Sequence, residues 1–274
     1  MAVFNVDGTP IKCIKGVAHR GYSATAPENT IPAYQLAKEN GYVFVECDVS
    51  MTSDGVPMLL HDSTIDRTSN GSGTLSQMTY AQVRQYDFGS WKSAQYTGTV
   101  IPTLAEFLQF CEENGLHPYL ELKSSGNYTE SQIQDIVDMV ETYGMKGNVS
   151  YISFSLTYLQ YVRDYDDSAR LGYVVSSVSA STISAVAGLK TDNNAVFLDS
   201  EVYGTTVIDL CKAANIPLEV WTLNDVSSAS SLNDYISGAT ANSGSPSSLL
   251  QYQDSASVDG TKVETVYRID GAVL

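Results

Sequence analysis

Short apolar runs alternate with amphipathic stretches along most of this chain. The runs are Ile14–His19, Val43–Val49, Val56–His61, Pro118–Lys123, Val149–Phe154, Leu171–Val175, Ala195–Asp199, Leu218–Leu223 and Tyr235–Ala241. Several are almost continuously apolar, as strands buried on both faces must be. The intervening stretches carry apolar residues three and four apart, the period of a helix with one buried face. Thr103–Asn114 shows this with Leu104, Phe107, Leu108 and Cys111, and Gly115 stops it. Thr129–Tyr143 repeats it with Ile133, Ile136, Val137 and Val140. Thr30–Asn40, Leu156–Tyr165, Thr182–Lys190, Thr205–Ala214 and Pro246–Gln253 are further helix predictions.

One pair of runs breaks the alternation. Val43–Val49 and Val56–His61 are separated by a few residues that include Asp54-Gly55, a hairpin signal. A parallel crossover does not fit in that space, so the second run predicts an added antiparallel strand. The other eight runs alternate with helices within about 250 residues, which reads as a TIM (β/α)8 barrel. An open doubly wound sheet is the alternative, weakened because no GxGxxG follows the first strand. Residues 63–101, with a helix-like Tyr80–Tyr86, are too many for a plain connection and predict an insertion capping the C-terminal face. The expected organisation is one barrel over residues 1–259 and an extension over 260–274.

Charge narrows the partners. The 274 residues carry 15 Lys and Arg against 31 Asp and Glu, a formal charge of −16. Phosphate-backbone and anionic-membrane partners both require a basic face, so neither nucleic acid nor membrane anchoring is expected. No apolar run is long enough for a membrane span. Residues 1–13 lack a basic segment followed by an apolar one, so a cytoplasmic location is expected. A Lys-poor surface rich in Ser, Thr and Tyr would also suit a secreted or phage-associated protein. The cysteines Cys13, Cys47, Cys111 and Cys211 are far apart with no CxxC, which predicts neither disulfides nor zinc.

Ionisable residues collect at strand ends. The first strand runs into His19-Arg20-Gly21, the second carries Glu46 and Asp48 on one face, the hairpin strand ends in His61-Asp62, and the next ends in Glu121-Leu122-Lys123. Carboxylates brought together on neighbouring strands repel unless a cation joins them. An all-oxygen set favours a hard ion, Mg²⁺ or Ca²⁺. His19 and His61 suit acid–base work, and Arg20 and Lys123 suit a phosphate. Together they point to metal-assisted phosphoryl chemistry. Trp221 ends a strand at the mouth and is a candidate to line the substrate site. His117 begins its strand and is expected to be structural, and Asp66-Arg67 is expected to be a local ion pair.

These residues lie in segments that resemble the glycerophosphodiester phosphodiesterases: AHRGYSATAPENTIPAYQLAKENG, VECDVSMTSDGVPMLLHD, DRTSNGSG, IPTLAEFL, LELK and VWTLND, in the family's order. The resemblance implies a TIM barrel that hydrolyses glycerophosphodiesters to glycerol 3-phosphate and an alcohol. It implies that His19 and His61 are the acid–base pair, that Arg20 contacts the phosphate, that Lys123 lies on the substrate side, and that Glu46, Asp48 and Glu121 hold the divalent cation. It gives Glu28 and Asn29 a supporting role. The family's last strand commonly ends in a carboxylate where this chain has Asn242, which leaves the late-barrel loop contacts open. The expected partner is a small glycerophosphodiester or a glycerol-phosphate polymer of the teichoic acid kind. A non-catalytic phosphate- or carbohydrate-binding barrel and a phospholipase D-like lyase are the remaining alternatives.

Overall fold

A computed structural model of the chain describes residues 3–4, 10–11, 14–191 and 196–246. It begins with a short antiparallel pair, β1 (Val3–Phe4) and β2 (Pro10–Ile11), which the apolar pattern did not predict. The remaining strands follow as β3 (Lys15–Ala18), β4 (Phe44–Met51), β5 (Pro57–Leu59), β6 (His117–Leu122), β7 (Ser150–Ser153), β8 (Arg170–Val175), β9 (Val196–Ser200), β10 (Leu218–Leu223) and β11 (Ile236–Ala241). All except β5 pair in parallel, and β11 closes on β3. The ring is an eight-stranded TIM barrel. β5 lies outside it, antiparallel to β4 through Val49↔Leu59 and Met51↔Pro57, as the hairpin signal predicts.

The helices are α1 (Ile31–Glu39), α2 (Tyr80–Val83), α3 (Leu104–Asn114), α4 (Glu130–Thr142), α5 (Leu156–Tyr165), α6 (Ala180–Gly188) and α7 (Thr205–Ala214). Sequence dictates their limits. At α4, Thr129 accepts from the Gln132 amide and Gln132 answers on the Thr129 amide. This reciprocal cap contributes about 1 kcal/mol. Ile133, Ile136, Val137 and Val140 then face inward. α3 has the same cap from Thr103 and Glu106 and ends on Gly115 at φ 63°, a left-handed turn that glycine adopts freely. Between β10 and β11, Val226–Ser231 forms only a 3₁₀ turn. Its Ser- and Ala-rich sequence has no apolar period, and Asp225 caps it through Ser227 N. The predicted helix over 246–253 lies outside the described residues from 247 onward, as does the 260–274 extension.

Strand alternation divides the core into two shells. Val45, Cys47 and Val49 of β4 face outward to the helices, within a large shell that also holds Phe107, Ile133, Leu159 and Leu198. Val17, Tyr119, Ile152, Val174 and Phe197 face inward and fill the barrel. Cys47, Cys111 and Cys211 are buried free thiols, as expected from their apolar surroundings. The excursion after β5 has its own core: Met58, Leu60, Ile65, Leu75, Val83, Phe88 and Ile101. Within it the predicted Tyr80–Tyr86 helix shortens to the single turn of α2. Lys92 Nζ ties this unit to the loop after β3 by donating to Ser23 O at 2.7 Å.

Candidate active site

The loop after β3 sets the geometry. Arg20 takes a left-handed backbone, φ 55°, and Gly21 follows at 81°. A non-glycine residue in that region costs on the order of 1 kcal/mol. At Gly21 a side chain has no room, since its Cβ would lie 2.7 Å from the Ala33 backbone. The turn aims Arg20 N at Glu46 Oε2, 2.9 Å away. The guanidinium donates to Glu28 Oε1 at 2.9 Å and lies 3.1 Å from Asp48 Oδ2. Asn29 is also left-handed, at 56°. It donates Nδ2–H to Asp48 Oδ2 at 2.8 Å and accepts from Asp48 N and Tyr34 OH.

Glu46 and Asp48 point inward from β4, and the register Asp48↔Glu121 sets the third carboxylate beside them. Ligand oxygens of the three lie within 4.8 Å of one another. All three are buried, and Glu46 Oε1 has no hydrogen-bond partner. Lys123 Nζ lies 2.9 Å from Glu121 Oε1 and 3.1 Å from Asp48 Oδ1, but neither oxygen has a well-aligned hydrogen bond. Burial pushes Glu46 well above the usual carboxylate range, with repulsion from Asp48 and Glu121 adding to it. Burial and Asp48 push Glu121 up to about 7. Burial opposes ionisation of Asp48 too, but Lys123 and Arg20 hold its carboxyl below its usual value. Orphaned, mutually repelling oxygens around one point are what a divalent cation would relieve, and an all-carboxylate set fits a hard ion.

The two histidines have different supports. His19 follows β3, with its Nδ1 2.8 Å from Asn242 Oδ1 and its Nε2 4.0 Å from Glu46 Oε2. Burial, assisted by Arg20, lowers its pKa to about 4, so it is neutral at pH 7. His61 is about one-third exposed, with Nδ1 2.7 Å from Asp62 Oδ1. It follows an antiparallel strand, yet reaches the mouth because β4 continues past Asp48 to Met51 before the chain turns back. Leu60 N then bonds Asp48 O at 3.0 Å.

Each predicted residue is accounted for. His19, Arg20, Glu28, Asn29, Glu46, Asp48, Glu121 and Lys123 form one connected cluster. His61 joins it through Asp62 and Arg67, since Arg67 bonds both Asp62 and Glu28. The local pair expected of Asp66 and Arg67 is not formed. Asp66 instead accepts from Gly73 N at 2.8 Å, because the turn aims it at its own loop. Trp221 packs edge-to-face on Phe154, at 5.5 Å between centroids, and donates to Asp199 O. His117 begins β6 beside Phe44, at the other end of the barrel. Sequence reasoning took Arg67 for a local pair, gave Asn242 no partner and missed Asp199. Asp199 is buried, lacks a partner on Oδ1, and is raised well above the usual range by burial and by Glu219. Its only sequence signal was a carboxylate ending an apolar run.

Residues 19–239 match the Glycerophosphoryl diester phosphodiesterase family. The chain belongs to that family. Glycerophosphodiester phosphodiesterase 1 of Mus musculus is 38% identical over 125 residues, which are 45% of this chain and 38% of the mouse protein. The aligned stretch thus spans well under half the length of that relative. Among solved structures, an Oleispira antarctica phosphodiesterase in complex with the product sn-glycerol-3-phosphate is 27% identical, with a TM-score of 0.72 over 84% of this chain and 93% of that one. A glycerophosphodiester phosphodiesterase from Agrobacterium tumefaciens is 25% identical, with a TM-score of 0.71 over 86% and 99%. The glycerophosphoryl diester phosphodiesterase match contains both histidines and all three carboxylates, and Asn242 lies just beyond it.

Proposed function

We propose that this protein hydrolyses small glycerophosphodiesters to glycerol 3-phosphate and an alcohol, with Mg²⁺ or Ca²⁺ held by Glu46, Asp48 and Glu121. The observation that carries the reading is the set of buried carboxylate oxygens around one point, flanked by Arg20, Lys123 and a neutral His19. The bound cation supplies charge stabilisation at the phosphoryl oxygens. Arg20 binds a phosphoryl oxygen through the guanidinium hydrogens that Glu28 leaves free, and Lys123 adds a second positive charge. His19 acts as base. Asn242 Oδ1 accepts a hydrogen bond from Nδ1–H, which leaves the Nε2 lone pair to remove a proton from the attacking hydroxyl. That hydroxyl belongs to water or to the glycerol itself, in which case water opens the cyclic phosphate afterwards. As the bond from phosphorus to the alcohol oxygen breaks, the imidazolium form of His61 donates its Nε2 proton to that oxygen and is left as the neutral Nδ1–H ring. Asp62 steadies the ring from Nδ1. Trp221 lines the substrate side of the mouth.

The test is release of glycerol 3-phosphate from glycerophosphocholine, with Mg²⁺, with Ca²⁺ and with EDTA, by wild type and His19→Ala. Cation-dependent release that is lost in His19→Ala supports the reading. Release only from polyglycerol phosphate would move the substrate to polymers, and no release from either would leave a binding barrel.

A further inference from the structure

Arg67 lies in the excursion after β5 and touches none of the carboxylates assigned to the cation. Four of its five guanidinium N–H donors are nevertheless committed to two carboxylates on separate loops. Nε donates to Asp62 Oδ2 at 2.7 Å, and Nη2 donates to Asp62 Oδ1 at 3.1 Å. Nη1 and Nη2 donate to Glu28 Oε2 and Oε1, both at 2.8 Å. Asp62 Oδ1 also meets His61 Nδ1 at 2.7 Å, and Glu28 Oε1 also accepts from Arg20 at 2.9 Å. One planar cation thus joins the partner of His61 to the partner of Arg20. Lysine lacks the fork geometry to do this.

We propose that Arg67 is a positioning residue for the reaction: it sets His61 and Arg20 in one fixed relation by clamping Asp62 to Glu28. The inference rests on the functional reading above. Without the clamp, Asp62 and Glu28 repel each other across the gap that Arg67 fills. The His61 ring then turns away from Nδ1 donation, and Arg20 loses the carboxylate that opposes Asp48. The excursion becomes a working part of the site, since His61 is in register only while Arg67 is docked.

The experiment compares wild type, Arg67→Met, Arg67→Ala, Arg67→Lys, Asp62→Asn and the Arg67→Met/Asp62→Asn double variant on glycerophosphocholine. Arg67→Met should lower kcat roughly 10- to 100-fold, the loss expected from an ångström-scale misplacement. In the Asp62→Asn background the same substitution should lower kcat less than about threefold, because the clamp has already lost its His61 arm. Methylguanidinium should restore activity to Arg67→Ala, and methylammonium should not. Arg67→Lys, which keeps the charge and the fold, should remain below one-third of wild type by the same reasoning. A second readout does not need turnover: at a pH where the ring is neutral, the ¹⁵N spectrum of His61 should show a single Nδ1–H tautomer in wild type and a mixture in Arg67→Met. Wild-type turnover with equal kcat in Arg67→Met would overturn the clamp, and so would equal losses in both backgrounds. An unchanged His61 tautomer would also overturn it. An inactive wild type with the expected tautomer change would sink the functional reading and leave the clamp standing.

Discussion

The two ends of this barrel bury the same kind of group and treat it in opposite ways. At the base, Glu219 is enclosed by donors. Lys15 and Arg170 share its Oε1, with Arg170 Nη2 at 2.6 Å, and Tyr119 OH donates to Oε2 at 3.1 Å. Arg170 also stacks 4.0 Å over the Phe197 ring. Gly238 leaves the carboxylate its room, since a Cβ there would lie 2.7 Å from Glu219 Cδ. Burial works against the Glu219 charge, yet Lys15 and Arg170 hold its pKa below the usual value. At the mouth, Glu46 is as deeply buried, has an oxygen with no partner, and shifts the other way. A carboxylate alone therefore marks neither stability nor chemistry. The base provides all its donors from the chain, whereas the mouth withholds one set.

The largest test separates the two ends by activity. His19→Ala should lower kcat about 1,000-fold, within the range of general acid–base catalysis, and leave the melting temperature nearly unchanged. Next in size, Glu219→Ala strands two cations at the base. It should cost about 3 kcal/mol in urea unfolding and leave the turnover of the folded fraction intact. If Glu219→Ala abolished catalysis without loss of stability, the division between the ends would fail.

A smaller effect concerns the missing donor. Adding Mg²⁺ or Ca²⁺ at 100 times its dissociation constant should stabilise wild type by about 2.7 kcal/mol. Glu46→Gln should lose most of that gain in a thermal-shift titration. The smallest effect is in pH. Glu121 in the folded chain keeps its proton up to about 7, against an ordinary value of 4.5. Between these values the folded state binds more protons than the unfolded one, so stability falls as pH rises. Unfolding of wild type measured against Glu121→Gln, in chelator, should show wild type losing ground from about pH 4.5 to about pH 7, and saturating Mg²⁺ should remove the trend.

Much of the mouth was legible because the period of a strand is two. Glu46 and Asp48 had to share a face, and apolar runs on either side fixed which face it was. Glu121 followed from the same rule on the neighbouring strand. The base was not legible. Arg170 directly precedes a predicted apolar run, and Glu219 lies inside one, where a sequence gives no sign that barrel closure will bring Lys15 to them. The contact of Asn242 with His19 escaped for a similar reason, since it spans 223 positions. Arg67 was placed in the right loop with the wrong partner. A neighbour in sequence, Asp66, was the obvious choice, but the turn sends the two side chains apart.

The position of β5 has one more consequence. Because it hangs on the outer side of a ring that is already closed, its connection can be rebuilt without opening the barrel. The exposed turn at Ser53–Gly55 is the natural place to do so. Two residues added there, which keep the faces of β5, would alter how far the returning chain descends, and hence the height of His61 above Asp48, without touching the pairings of the ring. The fold thereby offers evolution, or an engineer, an adjustment of the depth of His61 that is mechanically separate from the scaffold.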